Sequence, residues 1–258
     1  MKNIRMIVTD LDGTLLRNDK TISDYTRSVL LKCREKAIKV VFATGRPERA
    51  TRYLNLTDAV SCVIADNGAN ISSGGKVIYT VPLQERVRDG LIAQFANEPA
   101  ITEIFVEAGE RQYTNAVKFL NDGIFTDWLP VFHDFREPVN ETVCKITVAC
   151  DDPEIVRKIV SNFENIRYYP NTGENYFQIT HISTSKFNAV KYIADHIGIN
   201  IDETAAFGDD YNDVEMLTGC GTGVAPENAA NEAKRSAAYI CASNEDDGVA
   251  KFIEECIL

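Results

Sequence analysis

The stretch Asp10-Leu11-Asp12-Gly13-Thr14 decides how the chain is read. It follows residues 4–8 (Ile-Arg-Met-Ile-Val), an apolar run interrupted only by Arg5, which has the pattern of a buried parallel strand. Two carboxylates two residues apart therefore stand at a strand's carboxyl end, and Gly13 follows where the chain must turn. Ligands of open α/β sheets bind at those ends. Like charges this close are costly unless a cation or a shared proton relieves them. Hard oxygen donors without nearby His or Cys point to Mg2+ rather than Zn2+. With such an ion in place, one Asp could stay ionised as a nucleophile while the other carries a proton. Asp and Gly also favour ordinary turns, so the stretch alone admits both readings.

Outward from this stretch the pattern repeats. Ser23 or Asp24 is placed to cap a helix whose apolar face carries Val29, Leu30, Cys33 and Ala37. Residues 39–43 read as a second strand, ending at Thr44-Gly45-Arg46-Pro47. Pro47 suits the first position of a helix, and a helix N-terminus there would favour a phosphate. Residues 62–65 form a third strand, ending at Asp66-Asn67-Gly68-Ala69, with a hairpin over 70–80 turning at Gly74-Gly75. Strand and helix in alternation predict an α/β fold with a doubly wound, Rossmann-like parallel sheet.

Around Pro82 the character changes. Residues 85–97 read as a helix, and 103–107, 112–114 and 142–150 as strands. Asp152-Pro153 then opens a helix with Ile155, Val156, Ile159, Val160 and Phe163 on one face, before strands at 167–169 and 176–180. From Ser185 the alternation returns: a helix through Ala189, Val190 and Ile193, then a short strand ending at Gly208-Asp209-Asp210-Tyr211-Asn212-Asp213. The expected organisation is a core of 1–81 and 184–258 interrupted by an α+β insert over 82–183.

Bulk properties narrow the function classes. A chain of 258 residues, 45% hydrophobic and 25% charged, can bury a substantial core. Its net charge of −11 argues against nucleic acid or an anionic membrane as a partner. The insert holds 9 Lys and Arg against 16 Asp and Glu, so it is no cationic clamp for a polyanion. No apolar run approaches the ~18 residues of a membrane span, and the first strand begins too early for a signal peptide, so the cytosol is the expected compartment. Seven cysteines without a C-x-x-C pair are expected as buried thiols rather than bridges or metal ligands. His133 and His181 lack metal-ligand spacing. The sequence carries no signal for oligomeric state.

Three carboxyl-end loops thus bear polar groups, and Lys186 opens the helix after the insert. Separately, Thr44 reads as a helix cap and Lys186 as a solvated surface residue. Together they are the parts for phosphoryl transfer. Asp10-Leu11-Asp12-Gly13-Thr14, Ala43-Thr44-Gly45-Arg46, Lys186 and Gly208-Asp209-Asp210-Tyr211-Asn212-Asp213 resemble, in order and spacing, the four motifs of the haloacid dehalogenase superfamily. The insert's position and size, Asp66-Asn67-Gly68-Ala69, and the segment from Asn244 to Ala250 are similar to its Cof-type sugar-phosphate phosphatase branch.

The resemblance implies a Mg2+-dependent phosphatase acting on a small phosphorylated metabolite. Asp10 would be the nucleophile and Asp12 the proton carrier. Asp10, Asp209 and the main-chain carbonyl of Asp12 would hold Mg2+, with Asp213 acting through water. Leu11, Thr44, Gly45, Lys186 and Asn212 would bind the phosphate. The insert would act as a cap that selects substrate, with Tyr113, Trp128, His133, Tyr176 and His181 as lining candidates. A phosphomutase, or a non-catalytic phospho-acceptor or metabolite-binding protein, uses similar parts and stays open as an alternative.

Overall fold

The computed structural model describes residues 3–120, 129–171 and 174–258. The chain forms two compact units, Met1–Tyr79 with Ser185–Leu258, and Thr80–Thr184. In chain order the strands are β1 (Met6–Thr9), β2 (Lys39–Ala43), β3 (Cys62–Ala65), β4 (Asn70–Ser73), β5 (Lys76–Thr80), β6 (Glu103–Ala108), β7 (Arg111–Thr114), β8 (Val131–Phe132), β9 (Val143–Ala149), β10 (Ile166–Pro170), β11 (Tyr176–His181), β12 (Thr204–Phe207), β13 (Thr222–Pro226) and β14 (Tyr239–Cys241). The helices are α1 (Asp24–Glu35), α2 (Glu85–Ala96), α3 (Pro153–Val160), α4 (Lys186–Ile197), α5 (Val214–Gly219), α6 (Asn231–Ser236) and α7 (Gly248–Cys256).

The first unit is a doubly wound α/β sheet in the order β14-β13-β12-β1-β2-β3-β4-β5. The six strands from β14 to β3 pair in parallel, and β4 turns antiparallel on β3. Period-two alternation sends its side chains to two cores. Ile7, Val40, Phe42, Ala205 and Phe207 face one side, where Val29, Leu30 and Cys33 of α1 and Val249, Ala250 and Ile253 of α7 cover them. Met6, Val8, Val41, Ala43 and Ala206 face the other, beneath Ala189, Val190 and Ile193 of α4 and Met216 of α5. Each such aliphatic, fully buried, contributes about 1.5–3 kcal/mol, so a charge at Val41 would break the layer.

The helix starts follow from local chemistry. Ser23 accepts from the Thr26 amide at the head of α1, and Asp152 from the Glu154 amide at the head of α3. Two expectations fail. Ala37 is not on α1: the helix stops at Glu35, and Ala37 is exposed with φ +60 where the chain reverses into β2. Pro47 does not open an α-helix; it precedes a 3₁₀ helix, Glu48–Leu54, so no full helix N-terminus follows Thr44.

The second unit is α+β. Its sheet runs β10-β11-β9-β6-β7-β8, antiparallel except for β7 with β8. Ile104, Val106, Ile146, Val148, Phe177 and Ile179 pack against Leu91, Ile92 and Phe95 of α2 and Val156, Ile159 and Val160 of α3. A third expectation fails here: Phe163 is not on the face of α3, which stops at Val160, but lies beyond its end, partly buried against the same core. Among the described residues no helix is long and apolar enough to cross a membrane.

Candidate active site

Parallel pairing brings three loops to one edge of the first unit. Thr9 is in register with Phe42 on one side and Phe207 on the other, so β1, β2 and β12 end together. The Asp10 amide donates to the Phe207 carbonyl at 2.9 Å, tying the first loop to the last. Ser185 caps α4 by accepting from the Asn188 amide, which presents Lys186 at the helix's first position.

Lys186 is 1% exposed, against the usual fate of a lysine. Its Nζ donates to Asp10 Oδ1 and Asp213 Oδ1, each at 2.6 Å. Asp213 is fully buried, and its Oδ2 accepts from the Asp209 and Asp210 amides at 3.0 and 3.1 Å. Thr14 Oγ1 donates to Asp209 Oδ1 at 2.6 Å. Gly13 has φ +80, and a β-carbon there would stand 2.4 Å from Asp209 Oδ2, so only glycine fits. One ligand oxygen each from Asp10, Asp209 and Asp213 lies within 4.8 Å of the others.

The charge balance is unequal: three carboxylates meet one ammonium. Burial opposes the Lys186 charge, but the carboxylates of Asp10 and Asp213 push its pKa well above the ordinary value. Burial raises Asp10 well above the ordinary carboxyl range; Lys186 works against this, and Asp213 and Asp209 add to it. Burial, with the Asp213 charge, pushes Asp209 up to about 6. Two negative charges in excess, all on hard oxygen donors with no His or Cys among them, fit a divalent cation of the Mg2+ type.

Asp12 is held differently. Arg46 grips it in a fork, Nε to Oδ2 and Nη2 to Oδ1, both at 2.6 Å, and Lys20 Nζ lies 2.8 Å from Oδ1. Burial works to raise the Asp12 pKa, but hydrogen bonds and charge from Arg46 and then Lys20 outweigh it and hold it below the ordinary range. Tyr53 OH accepts from Arg46 Nη1 at 3.2 Å and donates to the Lys20 carbonyl at 2.9 Å, bracing the clamp.

Thr44 is 1% exposed; its hydroxyl accepts from the Arg46 amide at 3.1 Å, a local turn contact rather than a helix cap. Gly45 lies against the Asn67 carboxamide, and Asn212 Nδ2 donates to Asn67 Oδ1 at 2.8 Å. Leu11 buries its side chain in the core, so only its main chain is at hand for a ligand. Arg46 was legible only as a motif letter, and Lys20, Tyr53 and Asn67 carried no sequence reading as site residues. For Asn67 the signal was Asp-Asn-Gly directly after a strand.

The lining candidates of the second unit are engaged within it. Tyr113 OH bonds Glu141, Tyr176 OH donates to Glu103 Oε2 at 2.6 Å, and His181 Nδ1 pairs with Ser183 Oγ at 2.6 Å. His133 packs between the rings of Tyr113 and Phe135 and accepts from the Phe135 amide. Trp128 lies outside the described residues.

A family model for haloacid dehalogenase-like hydrolases matches residues 7–253. The chain is 26% identical to a 5-amino-6-(5-phospho-D-ribitylamino)uracil phosphatase of Bacillus subtilis, YitU, over 97% of this chain and 96% of that one. It is also 26% identical to an HMP-PP phosphatase of an Enterobacter species, over 87% and 85%. Among solved structures, a sugar phosphatase of HAD subclass IIB superposes with a TM-score of 0.81 at 25% identity, covering 97% of this chain and 98% of that one. A haloacid dehalogenase-like hydrolase from B. subtilis superposes with a TM-score of 0.85 at 22% identity, covering 98% and 100%, and shares the fold. With the family's match running almost end to end over this fold, the chain belongs to the haloacid dehalogenase-like hydrolases.

Proposed function

We propose that the chain is a cytosolic, Mg2+-dependent phosphatase of small phosphate monoesters, sugar phosphates first among them, acting through an aspartyl-phosphate on Asp10. The observation that carries this reading is Asp10 itself: 6% exposed, 2.6 Å from the Lys186 ammonium, and grouped with Asp209 and Asp213 at the strand ends. The phosphatase names of similar proteins support the reaction class, and the likeness to a subclass IIB sugar phosphatase supports the substrate class.

In this reading the Asp10 carboxylate attacks phosphorus, and the bond from phosphorus to the leaving oxygen breaks. Asp12 gives that oxygen its proton. Water then attacks the phosphorus and loses a proton to Asp12. The bond from phosphorus to Asp10 breaks, and inorganic phosphate leaves. Asp10, Asp209 and the Asp12 carbonyl would hold Mg2+, which supplies charge neutralisation for the phosphoryl oxygens. Asp213, held by Lys186 and two amides, orders the loop that carries Asp209 and would act on the ion through water. Thr44, the Leu11 and Gly45 amides, Lys186 and Asn212 bind phosphate oxygens as their charge shifts. The clamp on Asp12 gives it a second duty. Arg46 and Lys20 keep it ionised, the form that accepts a proton from water, and the fork must open before it can carry a proton to a leaving group. The inserted unit, proposed as the cap, supplies substrate choice.

The test is turnover of an aryl phosphate and a panel of sugar phosphates, with and without Mg2+, by the native chain and by Asp10→Asn. Mg2+-dependent release of inorganic phosphate that Asp10→Asn abolishes is the expected result. Turnover retained in Asp10→Asn rejects the mechanism, and an isomeric sugar phosphate as sole product would make the enzyme a mutase.

A further inference from the structure

The turn between β3 and β4, outside the residues given roles above, reaches three of the groups proposed to hold phosphate. Asp66 and Asn67 have φ of +51 and +58, and Gly68 follows at +103. Two consecutive non-glycine residues in the left-handed region are uncommon and persist only where the surroundings impose them. Here the imposition is visible. The Asp66 amide donates to the Arg46 carbonyl and the Asn67 amide to the Thr44 carbonyl, both at 3.0 Å, zipping the turn to the Thr44 loop. A β-carbon on Gly68 would stand 2.2 Å from the Ser185 carbonyl oxygen, so the turn also abuts the start of α4, where Lys186 begins.

Asn67 is 3% exposed, and its side chain points at the site's own parts. A β-carbon on Gly45 would lie 3.3 Å from Asn67 Oδ1 and 3.4 Å from Nδ2, so the carboxamide lies against Gly45. Its Oδ1 accepts from Asn212 Nδ2 at 2.8 Å. A carboxamide has a donor end and an acceptor end, and only the donor end suits an anion. With one Nδ2 hydrogen held by Asn67, the other remains for a phosphate oxygen. With Asn67 Oδ1 turned to Asn212 as it is here, the flipped Asn212 amide would set the two side-chain oxygens against each other. Asparagine meets both demands at position 67, since it tolerates the left-handed backbone and supplies the acceptor.

We propose that Asn67 is a positioning residue of the phosphate subsite: it fixes which end of the Asn212 carboxamide faces the phosphate. The inference rests on reading this site as the place where phosphate binds.

The experiment is a double-mutant cycle on Asn67→Gly, Asn212→Ala and the pair, read as the inhibition constant of inorganic phosphate and as KM and kcat for an aryl phosphate in Mg2+. Glycine removes the carboxamide without penalising φ +58, so the fold is retained. Losing one neutral hydrogen bond predicts a rise of about 3- to 10-fold in the phosphate inhibition constant and in KM, with kcat changed less. The double variant should be no weaker than Asn212→Ala alone. An unchanged inhibition constant, or two losses that simply multiply, overturns the assignment while leaving the phosphatase reading intact. A native chain that turns over no phosphate ester defeats that reading instead. Should Asn67→Gly fail to fold, Asn67→Asp keeps the backbone and the acceptor but sets a carboxylate beside the phosphate. Because the acceptor toward Asn212 is kept, Asn212→Ala in this background must still raise the phosphate inhibition constant by about the factor it costs the native chain, and no further rise overturns the proposal equally.

Discussion

Lys186→Met is the most informative single perturbation of the site. Methionine keeps most of the apolar stem and deletes the ammonium that Asp10 and Asp213 share at 2.6 Å. Removing one partner from a buried ion pair typically costs about 3–5 kcal/mol. A second route to the magnitude gives a similar answer. The cheapest relief is for the folded variant to hold one more proton than the native protein does. For a carboxyl of ordinary pKa about 3.9, taking a proton at pH 7 costs about three units of 1.36 kcal/mol, about 4 kcal/mol in all. At pH 5 the same step costs about 1.5 kcal/mol. The sign follows: the folded variant binds a proton that its unfolded chain lacks, so its stability falls as pH rises. Urea unfolding in a chelator should therefore show a deficit of about 3–5 kcal/mol at pH 7 and about 1–2 kcal/mol at pH 5. Added Mg2+ should recover part of the deficit at pH 7. A deficit under about 1 kcal/mol at pH 7, or one equal at both pH values, would refute the account of Lys186 as the counter-charge of the acidic cluster.

Other perturbations test separate parts. Asp12→Asn should lower turnover of a sugar phosphate by about 10²–10⁴. Its melting temperature should change little, because the pairs it breaks are partly exposed, with the Asp12 side chain at 36%. Asn244 is buried and donates to the Leu16 carbonyl at 2.9 Å, while its amide reaches Asn228, which in turn donates to the Gly13 carbonyl. Asn244→Ala strands the Leu16 carbonyl, and chemical denaturation should register a loss of about 1–3 kcal/mol. Burial works to raise Asp247, but hydrogen bonds from Ser23, Thr26 and Arg17 outweigh it and hold its pKa below the ordinary range. Its contribution is thus complete above an unfolded value of about 3.9 and lost as pH falls through the lower folded value. The stability gap between the native chain and Asp247→Asn should be constant from pH 7 to 5 and close as pH falls further.

Much of this was legible because β-sheet chemistry is local in sequence. Runs such as Val40-Val41-Phe42-Ala43 announce buried strands, and a strand's carboxyl end says where a ligand goes. What failed was what depends on other segments. Ala37 fits a helical spacing, but the chain has to reverse before β2, and the left-handed residue at that corner is Ala37 itself. Pro47 suits a helix start equally well for an α- or a 3₁₀ helix, and only packing decides between them. Lys186 reads as solvated until Asp10 and Asp213, 176 and 27 residues away, are folded against it. The fork of Arg46 on Asp12 and the contact of Asn67 with Asn212 are likewise long-range, and no periodicity encodes them. Asp66-Asn67-Gly68 was the exception that could have been read further, since an Asp-Asn-Gly run after a strand signals left-handed backbone.

The central claim is that Asp10 carries the phosphoryl group. Mixing the native chain with a phosphate monoester in Mg2+, quenching in acid within the first turnover and mapping peptides by mass tests it directly. The account predicts a gain of one phosphoryl group on the peptide containing Asp10, absent in Asp10→Asn and lost when the quench is delayed until substrate is exhausted. Steady release of phosphate with no such adduct at any quench time would contradict it.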